Sequence, residues 1–136
     1  MMKALVAAIL LFTATTSLAD TVREAMQEYS EFATYDAGII LPEQITEEIF
    51  SNVKFVDTRS QDEHSDSTIP GASHIEWRDI FGRLEDLPKD GKVILFCNTG
   101  TLSAQAAFGL RVLGHENVLV LQTGFLGWLE NAAFRP

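Results

Sequence analysis

Cysteine is almost missing from this chain: Cys97 is the only one in 136 residues. One thiol cannot close an internal disulfide, so Cys97 is either a small buried filler or a reactive group, and the count favours neither. Positive charge is also scarce. Ten Lys and Arg stand against nineteen Asp and Glu, a formal net charge of −9. Such a surface disfavours nucleic acid and anionic lipid, and it serves solubility. A small anionic substrate therefore needs a local positive site. His64, His74 and His115 have no regular ligand spacing and no paired cysteine, so no metal site is expected. There is no internal repeat, low-complexity tract or interdomain linker.

Uninterrupted apolar sequence is short everywhere, and one such run is N-terminal. Met1-Met2-Lys3 precedes an apolar stretch from Ala4 to Phe12, and Ser17-Leu18-Ala19 precedes Asp20. These are the three parts of a cleavable secretory signal. Thr13, Thr15, Thr16 and Ser17 break the run short of the about 20 apolar residues that a spanning helix needs. Residues 1–19 are therefore expected to be removed on export to a periplasm, leaving no stable membrane anchor. Removing 19 of 136 residues leaves 117 and, because Lys3 goes with them, a charge of −10. That length supports one hydrophobic core.

After the signal, Val22, Met26, Tyr29 and Phe32 recur at helical spacing, so residues 20–40 are expected to be a helix followed by a linking loop from Thr34 to Ile40. Pro42 opens a helix expected to run through Phe50, with Ile45 and Ile49 on one face. Val53 to Asp57 reads as a strand. Thr58 to Pro70 is polar and reads as a long surface connection closed by the turn Pro70-Gly71. Ser73 to Glu76 suggests a short strand and Arg78 to Leu84 a helical turn or two. Val93-Ile94-Leu95-Phe96 is an apolar run of the kind covered on both faces, the best candidate for a central parallel strand. Leu102, Ala106, Leu110 and Leu113 then mark a helix closed by Gly114, Val118 to Leu121 a strand, and Gly124 the start of a last helix with Phe125, Trp128 and Leu129. Strands alternating with helices imply an α/β fold with a central, mainly parallel sheet and helices on both faces.

Cys97 follows the candidate central strand directly, at the carboxyl edge where open α/β sheets bind ligands. The connection to the next helix reads Cys97-Asn98-Thr99-Gly100-Thr101-Leu102-Ser103. Gly100 permits a backbone turn that aims successive amides inward, and the helix that follows adds partial positive charge. Such a cradle stabilises a thiolate or persulfide anion, so position favours a reactive Cys97 over filler.

This arrangement resembles the active-site loop of the rhodanese family, in which a catalytic Cys follows a central strand and the loop reads Cys-Arg-x-Gly-x-Arg-Ser/Thr. Cys97, Gly100 and Ser103 match; Asn98 and Leu102 stand where the family usually has Arg. Val56-Asp57-Thr58-Arg59 with Glu63, and Ile69-Pro70-Gly71-Ala72, resemble its upstream motif. Asn117-Val118 through Leu121, Gly124-Phe125 and Trp128 resemble its closing motif. Ser67-Thr68, His74 and Thr123 depart from the common Gly-His, Asn and Gly. The resemblance covers about Leu41 to Phe134, so residues 41–136 are expected to form one rhodanese-like domain. Related phosphatases have an Arg six places after the Cys; here that position is Ser103, and the clamp for phosphate is missing.

The resemblance implies a sulfurtransferase. Cys97 takes sulfur from a polysulfide, persulfide or thiosulfate, is held as a persulfide by amides and hydroxyls of Asn98, Thr99, Gly100, Thr101, Leu102 and Ser103, and passes it to cyanide, a thiol or a protein cysteine. Asp57 and Arg59 are expected to fix the surrounding loops, with Arg59 pairing with Glu63 in a structural ion pair. Without Arg at 98 and 102, thiosulfate turnover is expected to be weak. Arg78 or Arg83 could supply the missing charge, but nothing in the sequence aims them there. Trp77 and Trp128 read as core or pocket walls. No metal or organic cofactor is implied. Two other readings stay open: a rhodanese fold that carries sulfur or docks a partner without turnover, and an oxidant-sensing thiol.

Overall fold

The computed structural model describes residues 15–136. Its sheet has five parallel strands, β1 (Ile39–Ile40), β2 (Lys54–Asp57), β3 (Ser73–His74), β4 (Val93–Phe96) and β5 (Val118–Leu121), in the order β1-β5-β4-β2-β3. Around it lie α1 (Leu18–Phe32), α2 (Glu47–Asn52), α3 (Gln61–Asp66), α4 (Thr101–Val112) and α5 (Gly124–Asn131), with single 3-10 turns at Pro42–Gln44, Ile80–Gly82 and Leu84–Asp86.

The apolar run of β4 sorts by the two-residue period of a strand. Val93 and Leu95 join Val56, Val118 and Val120 beneath Ala106, Ala107 and Leu110 of α4. Ile94 and Phe96 join Phe55, Leu121, Phe125 and Trp128, with Ile45 and Ile69, on the opposite face. All four β4 side chains have 0% exposure, as expected of a central strand covered on both sides. The expected α/β architecture is the one found.

Several boundaries differ from the sequence reading. The expected loop from Thr34 to Ile40 contributes β1, whose register is fixed by Val120 N–H to Gly38 O (2.7 Å) and Gln122 N–H to Ile40 O (2.9 Å). Two residues are too few to show a strand period. The helix expected from Pro42 to Phe50 is broken: a 3-10 turn ends at Gln44, and α2 begins at Glu47 with Thr46 Oγ1 capping the Ile49 amide. Ile45 and Ile49 nevertheless pack in the same cluster. The polar connection after Thr58 contains α3, which lacks apolar periodicity but starts with a capping box: Ser60 Oγ accepts from Glu63 N–H while the Glu63 carboxylate accepts from Ser60 N–H. The helix read from Val22 to Phe32 begins earlier, at Leu18, on the cap Ser17. The apolar part of the expected signal lies outside the described residues. No helix among the described residues is long and apolar enough to cross a membrane.

Candidate active site

Strand β4 ends at Phe96 and delivers Cys97 to the carboxyl edge of the sheet. Its last carbonyl, Phe96 O, accepts from both the amide (2.8 Å) and hydroxyl (2.9 Å) of the fully buried Thr58. The next two carbonyls are taken by the start of α5: Phe125 N–H donates to Cys97 O (2.8 Å) and Leu126 N–H to Asn98 O (3.1 Å). With its carbonyls held outward, the loop turns its amides in. Gly100 makes this turn at φ +93°, and a Cβ there would sit 3.2 Å from Leu121 O. Gly124 is more restricted still, at φ +64° with a hypothetical Cβ 2.5 Å from Cys97 O. Only glycine meets both demands without strain.

The sulfur of Cys97 accepts from Gly100 N–H at 3.2 Å and from Ser103 Oγ–H at 3.5 Å. Burial pushes the Cys97 thiol up, but the Ser103 hydroxyl and the amides of Ser103, Thr99 and Leu102 pull it down further, and the balance lies below the ordinary thiol value. Cys97 is 4% exposed and lines a cleft of about 370 Å³.

The other loop residues have separate places. Asn98 turns its side chain away from the sulfur: its Oδ1 accepts from Arg59 Nη1 (3.3 Å) and its Nδ2 donates to Glu63 Oε1 (2.6 Å). The Thr99 and Thr101 hydroxyls lie 3.3 Å from each other. Leu102, 38% exposed, lines the mouth. Ser103 is fully buried, and its hydroxyl has a second acceptor in Gly100 O (3.2 Å).

Behind the loop, Arg59 grips Asp57 rather than Glu63. Arg59 Nε donates to Asp57 Oδ1 (3.0 Å) and Nη2 to Oδ2 (2.7 Å), with exposures of 6% and 0% for the two side chains. Residues two apart in sequence meet because β2 ends between them and the chain folds back, so that Arg59 N–H also donates to Asp57 Oδ1. The guanidinium sits 4.3 Å over the Phe125 ring and donates to Ser67 O at 2.6 Å. Burial raises the Asp57 carboxyl, but Arg59, Thr68 and His64 donate to it and hold it below the usual carboxylate range. Glu63, which makes no direct bond to the guanidinium, is lowered first by its bond from Asn98, then by Ser60, and less by the nearby Arg59 charge.

Sequence reasoning missed the part that Thr58, His64, Thr68 and His74 play in this support, because their side chains converge on Phe96, Asp57 and Arg59 only through tertiary folding. His64 Nδ1 lies 3.1 Å from Asp57 Oδ2, and His74 Nε2 lies 2.7 Å from Arg59 O. Both acceptors lack hydrogens, so those ring nitrogens carry the protons. The two rings stack at 4.9 Å. The structure also separates the two candidate arginines: Arg78 lines the Cys97 cleft beside Trp77, while Arg83 pairs with Asp86 at 2.7 Å. Trp128 is buried in the core.

Comparison with known proteins agrees with this geometry. The rhodanese-like domain family matches residues 41–131. A sulfurtransferase of Allochromatium vinosum is 34% identical over 80 residues, covering 59% of this chain and 75% of that one. The fold is shared with a rhodanese-related protein of Thermoplasma volcanium (TM-score 0.62, 24% identity, 68% of this chain and 90% of that one). It is shared too with a human single-domain sulfurtransferase (TM-score 0.58, 24% identity, 69% and 96%). The family match runs from ahead of β2 to the end of α5 and takes in the whole cradle, and the chain belongs to the rhodanese-like domain family.

Proposed function

We propose that this chain is a sulfurtransferase that moves sulfane sulfur from a polysulfide, persulfide or thiosulfate to a thiophilic acceptor through a persulfide on Cys97. The observation that carries the reading is the pair of donors, Gly100 N–H and Ser103 Oγ–H, aimed at Cys97 Sγ from 3.2 and 3.5 Å. They stabilise the thiolate that attacks and the persulfide anion that results.

In the first step the Cys97 thiolate attacks the outer sulfur of the donor. The donor S–S bond breaks, its electron pair leaves with a thiolate, a shortened polysulfide or sulfite, and a new S–S bond forms on Cys97. In the second step cyanide, a thiolate or a protein cysteine attacks the outer sulfur of the persulfide and Cys97 leaves as thiolate. The exchange is ping-pong and needs no external oxidant.

Donor preference follows from the loop. Asn98 is tied to Arg59 and Glu63, and the Leu102 side chain offers no charge or hydrogen bond, so no guanidinium of the loop meets a dianion. Polysulfide and persulfide should therefore outrun thiosulfate at equal concentration; a clear advantage for thiosulfate refutes this. A fold that carries sulfur or docks a partner without turnover is the alternative, and it predicts a Cys97 persulfide that cyanide or thiol acceptors do not turn over repeatedly. The site of action is proposed to be a periplasm, on the sequence pattern of residues 1–19. The exported protein should then begin at Asp20 by mass, and retention of Met1 counts against export by cleavage.

A further inference from the structure

Four charged side chains line the cleft with Cys97: Arg59, Glu63, Glu76 and Arg78. Arg59 is spent on Asp57, Ser67 O and Asn98, and Glu63 on Asn98 and Ser60. Arg78 differs. Glu76 Oε1 takes its Nε at 2.7 Å, while its terminal nitrogens Nη1 and Nη2 have no hydrogen bond to any described residue, and the side chain is 72% exposed. That terminal edge is a planar fork of the shape that receives a carboxylate. The segment presenting it is fixed by backbone bonds: Ile75 N–H to Asp57 O (3.1 Å), Trp77 N–H to Thr58 O (3.0 Å) and Asp79 N–H to Glu76 O (2.9 Å). Arg78 is thus anchored to the end of β2, next to the strand that carries Cys97.

The cleft volume of about 370 Å³ falls in the range of sites for small organic ligands. Arg78 and Cys97 line that one cleft. A persulfide on a carbon skeleton with a carboxylate carries this anionic group on a different atom from its reacting sulfur, so one molecule can offer the carboxylate to the fork and the outer sulfur to Cys97.

We infer that Arg78 is a substrate-binding residue that receives the carboxylate of a small organic persulfide, R–S–S⁻, and so sets the donor class. The inference rests on the sulfur-transfer reading above. In the step it serves, the Cys97 thiolate bonds to the outer sulfur, the donor S–S bond breaks, and R–S⁻ departs with the electron pair, its carboxylate still on Arg78.

The test compares wild type with Arg78→Ala and Arg78→Lys, using cysteine persulfide, 2-hydroxyethyl persulfide and thiosulfate as donors and cyanide as acceptor. Arg78→Ala should raise KM for cysteine persulfide about five-fold, the size of one exposed charge contact, with kcat held within about two-fold. Arg78→Lys should recover part of the loss, and neither variant should alter KM for 2-hydroxyethyl persulfide. Equal effects on the persulfides with and without a carboxylate, or none on either, overturn the inference while leaving sulfur transfer standing, since the donor without a carboxylate still loads Cys97. Failure of every donor to load wild-type Cys97 overturns sulfur transfer itself, and the inference with it.

Discussion

Ser103 Oγ, at 3.5 Å from the Cys97 sulfur, can give its single proton either to that sulfur or to Gly100 O. A thiolate is the stronger acceptor, so deprotonation of Cys97 draws the hydroxyl toward sulfur and stabilises the reactive form. Ser103→Ala should therefore raise the pH midpoint of Cys97 alkylation by iodoacetamide toward the value of about 8.5 for a free thiol, and slow persulfidation several-fold at neutral pH. An unchanged midpoint would mean that the amides alone set the thiol. Asp57 acts at one remove. Its folded carboxyl lies below its ordinary value, so its contribution to stability is present above about pH 4 and is lost as pH falls through the lowered folded value. Asp57→Asn leaves the Arg59 charge buried without its partner and should cost about 3 kcal/mol at neutral pH. Urea unfolding should show that difference shrinking below pH 4. Thr123 carries a different strain: it sits at φ +68°, the one non-glycine residue with positive φ among those described. Thr123→Gly should raise stability by up to about 1 kcal/mol, the cost of a left-handed β-branched residue less the entropy of the new glycine.

At the level of elements, the start of α5 is what fixes the loop, through the amides of Phe125 and Leu126 on the carbonyls of Cys97 and Asn98. Gly124→Ala would place a methyl 2.5 Å from Cys97 O and should cost about 2 kcal/mol or more, with loss of persulfidation visible before loss of helix signal. Helix α1 is attached by a narrower contact. Tyr29 packs edge-on against Phe108 of α4 at 5.5 Å and its hydroxyl accepts from Arg111 Nε at 3.0 Å. Tyr29→Ala should raise hydrogen exchange in α1 while leaving Cys97 reactivity unchanged, because no residue of α1 lines the Cys97 cleft. The same division explains what could be read in advance. Strand β4 and its loop were legible because their signals are contiguous: an apolar run, then Cys97, Gly100 and Ser103 in order. Strand β1 was not, since Ile39–Ile40 takes its identity from a partner 81 residues away. Helix α3 was overlooked although the Ser60 to Glu63 capping box announced it, because its residues bury no apolar face. The ion pair of Arg59 went to Asp57 rather than Glu63 because the fold-back after β2 is a tertiary feature, and Arg78 reached the cleft through the pairing of β3 with β2.

For the molecule as a whole, the formal charge of −9 opposes the approach of an anionic donor, while the cleft offers one arginine with open nitrogens. Repulsion of this kind is screened by salt, over a Debye length of about 10 Å at 0.1 M ionic strength. The apparent kcat/KM for thiosulfate should therefore rise between 10 and 200 mM salt, roughly two-fold or more, while that for a singly charged persulfide without a carboxylate rises less. A fall with salt would locate a positive attraction that outweighs the acidic surface. The donor preferences and their salt response rest on sulfur residing on Cys97 between two half-reactions. The direct measurement is the intact mass of the protein after brief exposure to polysulfide, beside Cys97→Ser, before and after cyanide. A gain of about 32 Da, one sulfur, that appears in wild type, is absent from the variant and is removed by cyanide is the predicted result. No gain in wild type, or an equal gain in Cys97→Ser, would contradict it.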